Sequence, residues 1–103
     1  MEANGKNLKM FTYQTHDYMD EHPETSFRTA ESQEIADKFI EHMRTHWSNG
    51  TVSNAKEVTP EEFYNARQSN YWKGYEEQLD NLASDCTQEW LDKYNKLLNN
   101  ETN

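Results

Sequence analysis

Apolar positions along this 103-residue chain recur at one of two periods. In "ESQEIADKFIEHMRTHW", residues 31–47, the period is helical. With Ile35 at zero on a helical wheel, Ala36, Phe39, Ile40, Met43 and Trp47 fall within an arc of about 140°. Glu34, Asp37, Lys38, Glu41 and Arg44 take the opposite face, with Glu34 four residues ahead of Lys38, the supportive order for a helical pair. Ser48-Asn49-Gly50 reads as the stop of this helix, and residues 48–58 as a polar loop.

"TPEE" opens a second helix, with Thr59 as N-cap, Pro60 at the first helical position and Glu62 closing a capping box. Tyr64, Tyr71, Tyr75, Leu79, Leu82 and Cys86 then keep one stripe. Run on to Leu98, a single helix would be about 58 Å long at 1.5 Å per residue. A globule of this size has a radius of gyration of about 13 Å, so a break is predicted. Ser69 to Gly74 is poor in helix formers. "SDCTQE" offers Asp85 as a new cap with Gln88 three residues on. The second site is favoured, because Leu91, Tyr94 and Leu98 lie about a quarter turn away from the earlier stripe.

The other period is two. "LKMFTYQT", residues 8–15, roughly alternates and is rich in β-branched and aromatic residues, and "TSFRT", residues 25–29, can pair with it. Residues 16–24 fit either one helical turn ended by Pro23 or a hairpin loop. The predicted fold is therefore α+β and mainly α, in one small domain over 1–103. A short two-stranded N-terminal β element precedes two to three amphipathic helices at about 31–47, 60–84 and 86–98. Residues 1–7 and 99–103 are expected to fray.

Composition changes this picture in one respect. Leu, Ile, Val and Phe supply only 14 of 103 residues, so the thirteen aromatics must carry much of the core. Charge changes it more. A net −9 repels phosphate, so direct binding of nucleic acid or of phospholipid headgroups is excluded as a role, and basic protein surfaces become the natural partners. One cysteine allows no internal disulfide. The start "MEANGKNLKMF" has no apolar run, and no window approaches a membrane span. A cytoplasmic location is expected.

Candidate chemistry is sparse. No phosphate-binding loop, dinucleotide glycine pattern or nucleophile elbow is present. His42 and His46 are four apart, a spacing that can place two imidazoles on one metal, but "HMRTH" lacks the glutamate of the hydrolytic zinc helix. At about 340° and 20° on the wheel they flank the apolar stripe and should be half covered. Cys86 lies on its own stripe among acids, the setting of a buried, inert thiol rather than a nucleophile. No metal, cofactor or catalytic residue is assigned, and the chain is expected not to be an enzyme.

The most distinctive stretch is "GYEEQLDNLASDCTQEWLDK", residues 74–93. It holds Glu76, Glu77, Asp80, Asp85, Glu89 and Asp92 with no base between Lys73 and Lys93. On the wheel these acids lie opposite Tyr75, Leu79, Leu82 and Cys86. They are either the wet face of an amphipathic helix or a docking face. Exposed anions spaced by a few ångströms imitate a phosphate strand, whose charges recur every ~3.4 Å. Tyr64, Tyr71, Trp72, Tyr75 and Trp90 crowd the same half and suit either a core or an interface.

Three features occur together from 26 to 65: a short strand at Ser26-Phe27-Arg28, the helix "EIADKFIEHMRTHW", and a loop leading to "EEFYN" at 61–65. In this order they resemble the C-terminal half of small acidic phage inhibitors of the Cas nuclease, the type II-A anti-CRISPR family. Ile35, Lys38, Phe39, Ile40 and Trp47 match the family helix by position. The family carries part of its inhibitory acids in the loop before "EEFYN". Here that loop is "SNGTVSNAKEV", with one acid, Glu57, and one base, Lys56, so those residues do not carry over. The resemblance implies a phage or mobile-element inhibitor of a basic, nucleic-acid-binding host protein. In this chain the six acids of 74–93 would serve as the partner-binding residues. The competing expectation is an assembly subunit that self-associates through Leu91, Tyr94 and Leu98.

Overall fold

The computed structural model describes residues 1–100. The fold is α+β, as expected, with 46% of residues helical and 23% in strands, so helix outweighs strand but falls short of half. The β element is larger than two strands. β1 (Lys9–Asp17) is central; β2 (Glu24–Ala30) pairs along one edge, and β3 (Gly50–Val52) and β4 (Lys56–Glu57) along the other, all antiparallel. Residues 16–24 are not a helical turn. β1 runs to Asp17, the chain turns at Tyr18-Met19, and β2 begins at Glu24. The Asp17 carboxylate accepts from Met19 N–H at 2.9 Å, the local bond by which aspartate favours turns.

Helix α1 (Gln33–His46) starts where Ser32 Oγ accepts from Ile35 N–H, 3.2 Å. It packs on one face of the sheet: Phe11, Ala30, Ala36, Ile40, Val52 and Ala55 are buried together. Ser48-Asn49-Gly50 is not simply a helix stop, because Gly50 begins β3. A Cβ there would stand 2.1 Å from the His16 carbonyl oxygen, so only glycine lets β3 approach β1 this closely.

Helix α2 (Pro60–Arg67) begins with the predicted capping box: Thr59 Oγ1 accepts from Glu62 N–H at 3.1 Å, and Thr59 N–H donates to Glu62 Oε1 at 3.2 Å. That backbone bond from Thr59 is the first cause holding the Glu62 carboxyl below its usual range. The predicted 60–84 helix does not exist as one element. The chain breaks at both candidate sites, through a 3-10 turn at Asn70–Trp72, helix α3 (Glu76–Ala83) and helix α4 (Gln88–Asn100). A straight helix over this region would outrun the molecule's longest dimension, 44 Å. The cap of α4 is not Asp85; Thr87 Oγ1 accepts from Trp90 N–H at 3.2 Å.

Met10 and Phe11 are adjacent, point to opposite sheet faces, and are 0% and 1% exposed. The sheet is therefore covered on both sides. The second face carries Met10, Val58, Phe63, Leu79, Ala83, Cys86, Leu91 and Tyr94. Phe63 is its aromatic hub, edge-on to Phe27 at 4.9 Å, Tyr94 at 5.5 Å and Trp90 at 5.6 Å.

Residues 1–7 form no helix or strand; within them Ala3 N–H donates to Gln88 Oε1 and Asn4 N–H to the Ser84 carbonyl, both at 2.9 Å. At the other end α4 extends through Asn100, and 101–103 lie outside the described residues. Among the described residues no helix is long and apolar enough to cross a membrane.

Candidate docking surface

The six acids of 74–93 do not form one ridge. Asp80 turns inward. Its carboxylate accepts from Arg67 Nε at 3.1 Å, Arg67 Nη2 at 3.2 Å and the Tyr94 hydroxyl at 2.6 Å. The pair is largely covered, with side-chain exposures of 15% for Arg67 and 25% for Asp80. Asp85 is likewise engaged, accepting from Asn4 Nδ2 and lying 3.6 Å from Lys6 Nζ. Glu76 folds back, and Gly74 N–H donates to its Oε2 at 2.9 Å. Its own backbone N–H, then that of Gly74, hold its carboxyl below the usual range, so it is charged at neutral pH.

Three of the six remain free for a partner. Glu77, Glu89 and Asp92 are exposed and have no Lys, Arg or His nitrogen within 4.0 Å among the described residues. Asp92 is steadied by Gln88 Nε2 at 3.0 Å. Lys93 and Lys96 follow Glu89 and Asp92 by four residues, which tempers the local field along α4.

A second anionic surface lies at the β1–β2 turn. Asp20, Glu21 and Glu24 are exposed and have no ion pair among the described residues, and beside them Tyr18 is 71% and Met19 91% exposed. The signal was present in the sequence, since no Lys or Arg occurs between Lys9 and Arg28. It lies in the turn between two strands, off every helical face.

The remaining candidates resolve plainly. The His42 and His46 rings lie 4.3 Å apart between centroids, tilted by 36°, and both side chains are exposed. The buried centre of α1 is Ala36 and Ile40, which leaves Ile35, the edge nearest these histidines, 43% exposed. No group of three or more His, Cys, Asp or Glu able to hold a metal occurs among the described residues. Leu91 and Tyr94, expected on an assembly surface, are instead 0% exposed in this chain's own core. Trp90 is anchored by its indole N–H to the Val58 carbonyl at 3.2 Å.

Cys86 is 0% exposed, and burial, then the charge of Asp85, pushes its thiol up to about 12. Two consequences are expected. A thiol reagent at pH 8 should leave the native chain unlabelled and modify it in denaturant; rapid native labelling would contradict the burial. Because the folded thiol titrates above its ordinary value of 9.0, the unfolded chain holds fewer protons between about 9 and 12. Stability should therefore fall as pH rises through that window. Cys86→Ala, followed by denaturant melts across it, should flatten this alkaline slope.

Comparison with protein-family models, with curated proteins and with solved structures finds no match.

Proposed function

We propose that this chain is a small, non-enzymatic inhibitor, encoded by a phage or mobile element and acting in the host cytoplasm. It docks exposed carboxylates on a basic groove of a nucleic-acid-binding host protein and so competes with the nucleic acid. A type II Cas nuclease is the partner that the resemblance over 26–65 implies. The observation that carries the reading is a set of surface acids without an ion pair among the described residues: Glu77, Glu89 and Asp92 on α3 and α4, and Asp20, Glu21 and Glu24 at the β1–β2 turn. An anion without an internal cation is free to meet one on a partner, and summed unpaired charge steers the encounter.

The test is DNA cleavage by a type II-A Cas nuclease with the chain added in increasing amount. Inhibition should weaken as salt rises, since surface charges are screened within about 10 Å at 0.1 M. Glu77→Lys/Glu89→Lys/Asp92→Lys should lose inhibition by about a hundredfold, close to 1 kcal/mol per reversed charge. Its circular dichroism should be unchanged. A triple variant as potent as the parent, or a parent that leaves cleavage unaffected, rejects the proposal.

A further inference from the structure

We propose that the cleft between β2 and the turn from Tyr71 to Tyr75 receives the guanidinium of an arginine carried on an extended segment of a partner protein. The inference deepens the docking function above and rests on it only for the existence of a basic partner. The cleft has a volume of about 380 Å³ and is lined by Thr25, Ser26, Tyr71, Trp72, Tyr75 and Gln78.

Three observations converge on this occupant. The first is aromatic. Tyr71 and Tyr75 are 53% and 50% exposed, although both could have been used in a core short of aliphatic residues. Each stands edge-on to Trp72, Tyr71 at 5.2 Å and 73° and Tyr75 at 6.3 Å and 89°. Trp72 is in turn fixed against Phe27 at 5.6 Å. Rings in several planes offer more than one π face to a cation.

The second is charge. Glu24 immediately precedes Thr25, and Glu76 and Glu77 immediately follow Tyr75. Lys73 is the one base in the 71–78 segment, and the nearby Arg67 is committed to Asp80. The local balance is anionic.

The third is backbone. The Met10 and Gln14 carbonyls accept from Val58 and Ser53, so even-numbered residues of β1 address β3 and β4, and odd-numbered residues address β2. Phe11, Tyr13 and Thr15 stand opposite Arg28, Ser26 and Glu24. Thr25, Phe27 and Thr29 are left with their N–H and C=O groups on the outer edge of β2. Beyond the strand pairing with β1, no backbone bond from residues 24–30 to another element occurs among the described residues. An open edge beside a side-chain pocket is the geometry of strand addition. Arginine fits better than lysine: its planar group stacks on rings and sends donors in plane toward carbonyls and carboxylates.

The experiment is an NMR titration of the isotope-labelled full chain with a blocked Gly-Gly-Arg-Gly-Gly peptide. Its counterparts carry citrulline, the neutral isostere, or lysine at the centre. The arginine peptide should shift the Trp72 indole N–H and the Thr25, Phe27 and Tyr75 amides together and saturably. The citrulline peptide should bind about tenfold more weakly, the worth of one partly desolvated cation–π contact. The lysine peptide should fall between them. Tyr71→Ala/Tyr75→Ala, removing two half-exposed rings, should weaken the arginine peptide to the citrulline level while the fold is kept. Equal affinity for the citrulline peptide overturns the proposal, as does a still Trp72 indole. Shifts confined to Glu89 and Asp92 would reject the cleft but leave acidic docking standing. Failure of the nuclease assay would leave the titration readable.

Discussion

Replacing Phe63 with alanine is expected to lower the unfolding free energy by about 3–5 kcal/mol, the range for a fully buried phenylalanine. The whole stability of a 103-residue chain is about 5–15 kcal/mol, so this variant should sit near the edge of folding. The cost should fall high in the range for a particular reason. Phe63 is 0% exposed, and its ring meets those of Phe27, Trp90 and Tyr94 at once. Those neighbours are large, planar and separately anchored, Trp90 through the Val58 carbonyl and Tyr94 through Asp80. They cannot slump into the vacated space, and a cavity that fails to collapse costs more. Phe63→Leu keeps most of the volume and should cost about 1–2 kcal/mol. Denaturant melts followed by tryptophan fluorescence measure both. A loss under about 1 kcal/mol for the alanine variant would mean that the aromatic cluster is not the keystone that this packing makes it.

The same cluster marks the limit of what patterning could disclose. Helix α1 was legible because its apolar stripe is continuous and its opposite face is charged. The start of α2 was legible because a capping box is a local signal, made by Thr59 and Glu62 within one turn. The two short strands at Gly50–Val52 and Lys56–Glu57 were not legible. Three and two residues carry no usable alternation, and their pairing with β1 joins positions some forty residues apart, such as Phe11 and Glu57. Chain length alone required a break after α2, but a wheel could not show that both weak points would be used. The acids expose the deeper limitation. A helical wheel sorts residues against one buried face, whereas α3 meets more than one neighbour. Asp80, on the wet side of its own wheel, is covered because Arg67 and Tyr94 arrive from α2 and α4. Asp85 is met by Asn4 and Lys6 from the opposite end of the chain. No local spacing announces either contact.

Asp80→Ala should therefore behave as a stability mutation, with a loss of about 2–4 kcal/mol. Removing one partner of a buried pair costs roughly 3–5 kcal/mol, and the quarter exposure of Asp80 shifts the expected loss down by about 1 kcal/mol. The loss has two separable parts. The Tyr94 hydroxyl would lose its acceptor, a step isolated by Tyr94→Phe at about 1 kcal/mol. Arg67 would lose a two-point contact, leaving its guanidinium largely covered and less well satisfied. A double-mutant cycle over Asp80 and Tyr94 should return a coupling of about 0.5–2 kcal/mol, because the two groups share one hydrogen bond. Glu77→Ala, by contrast, alters an exposed side chain and should move stability by no more than about 0.5 kcal/mol. The two variants should also separate in the cleavage assay. At a temperature where it is still folded, the Asp80 variant should inhibit as the parent does, since its carboxylate faces Tyr94 and Arg67 rather than a partner. Glu77→Lys alone should already weaken inhibition. If Asp80→Ala leaves the melt unchanged yet abolishes inhibition, the carboxylate faces a partner after all, and the division drawn between structural and docking acids fails.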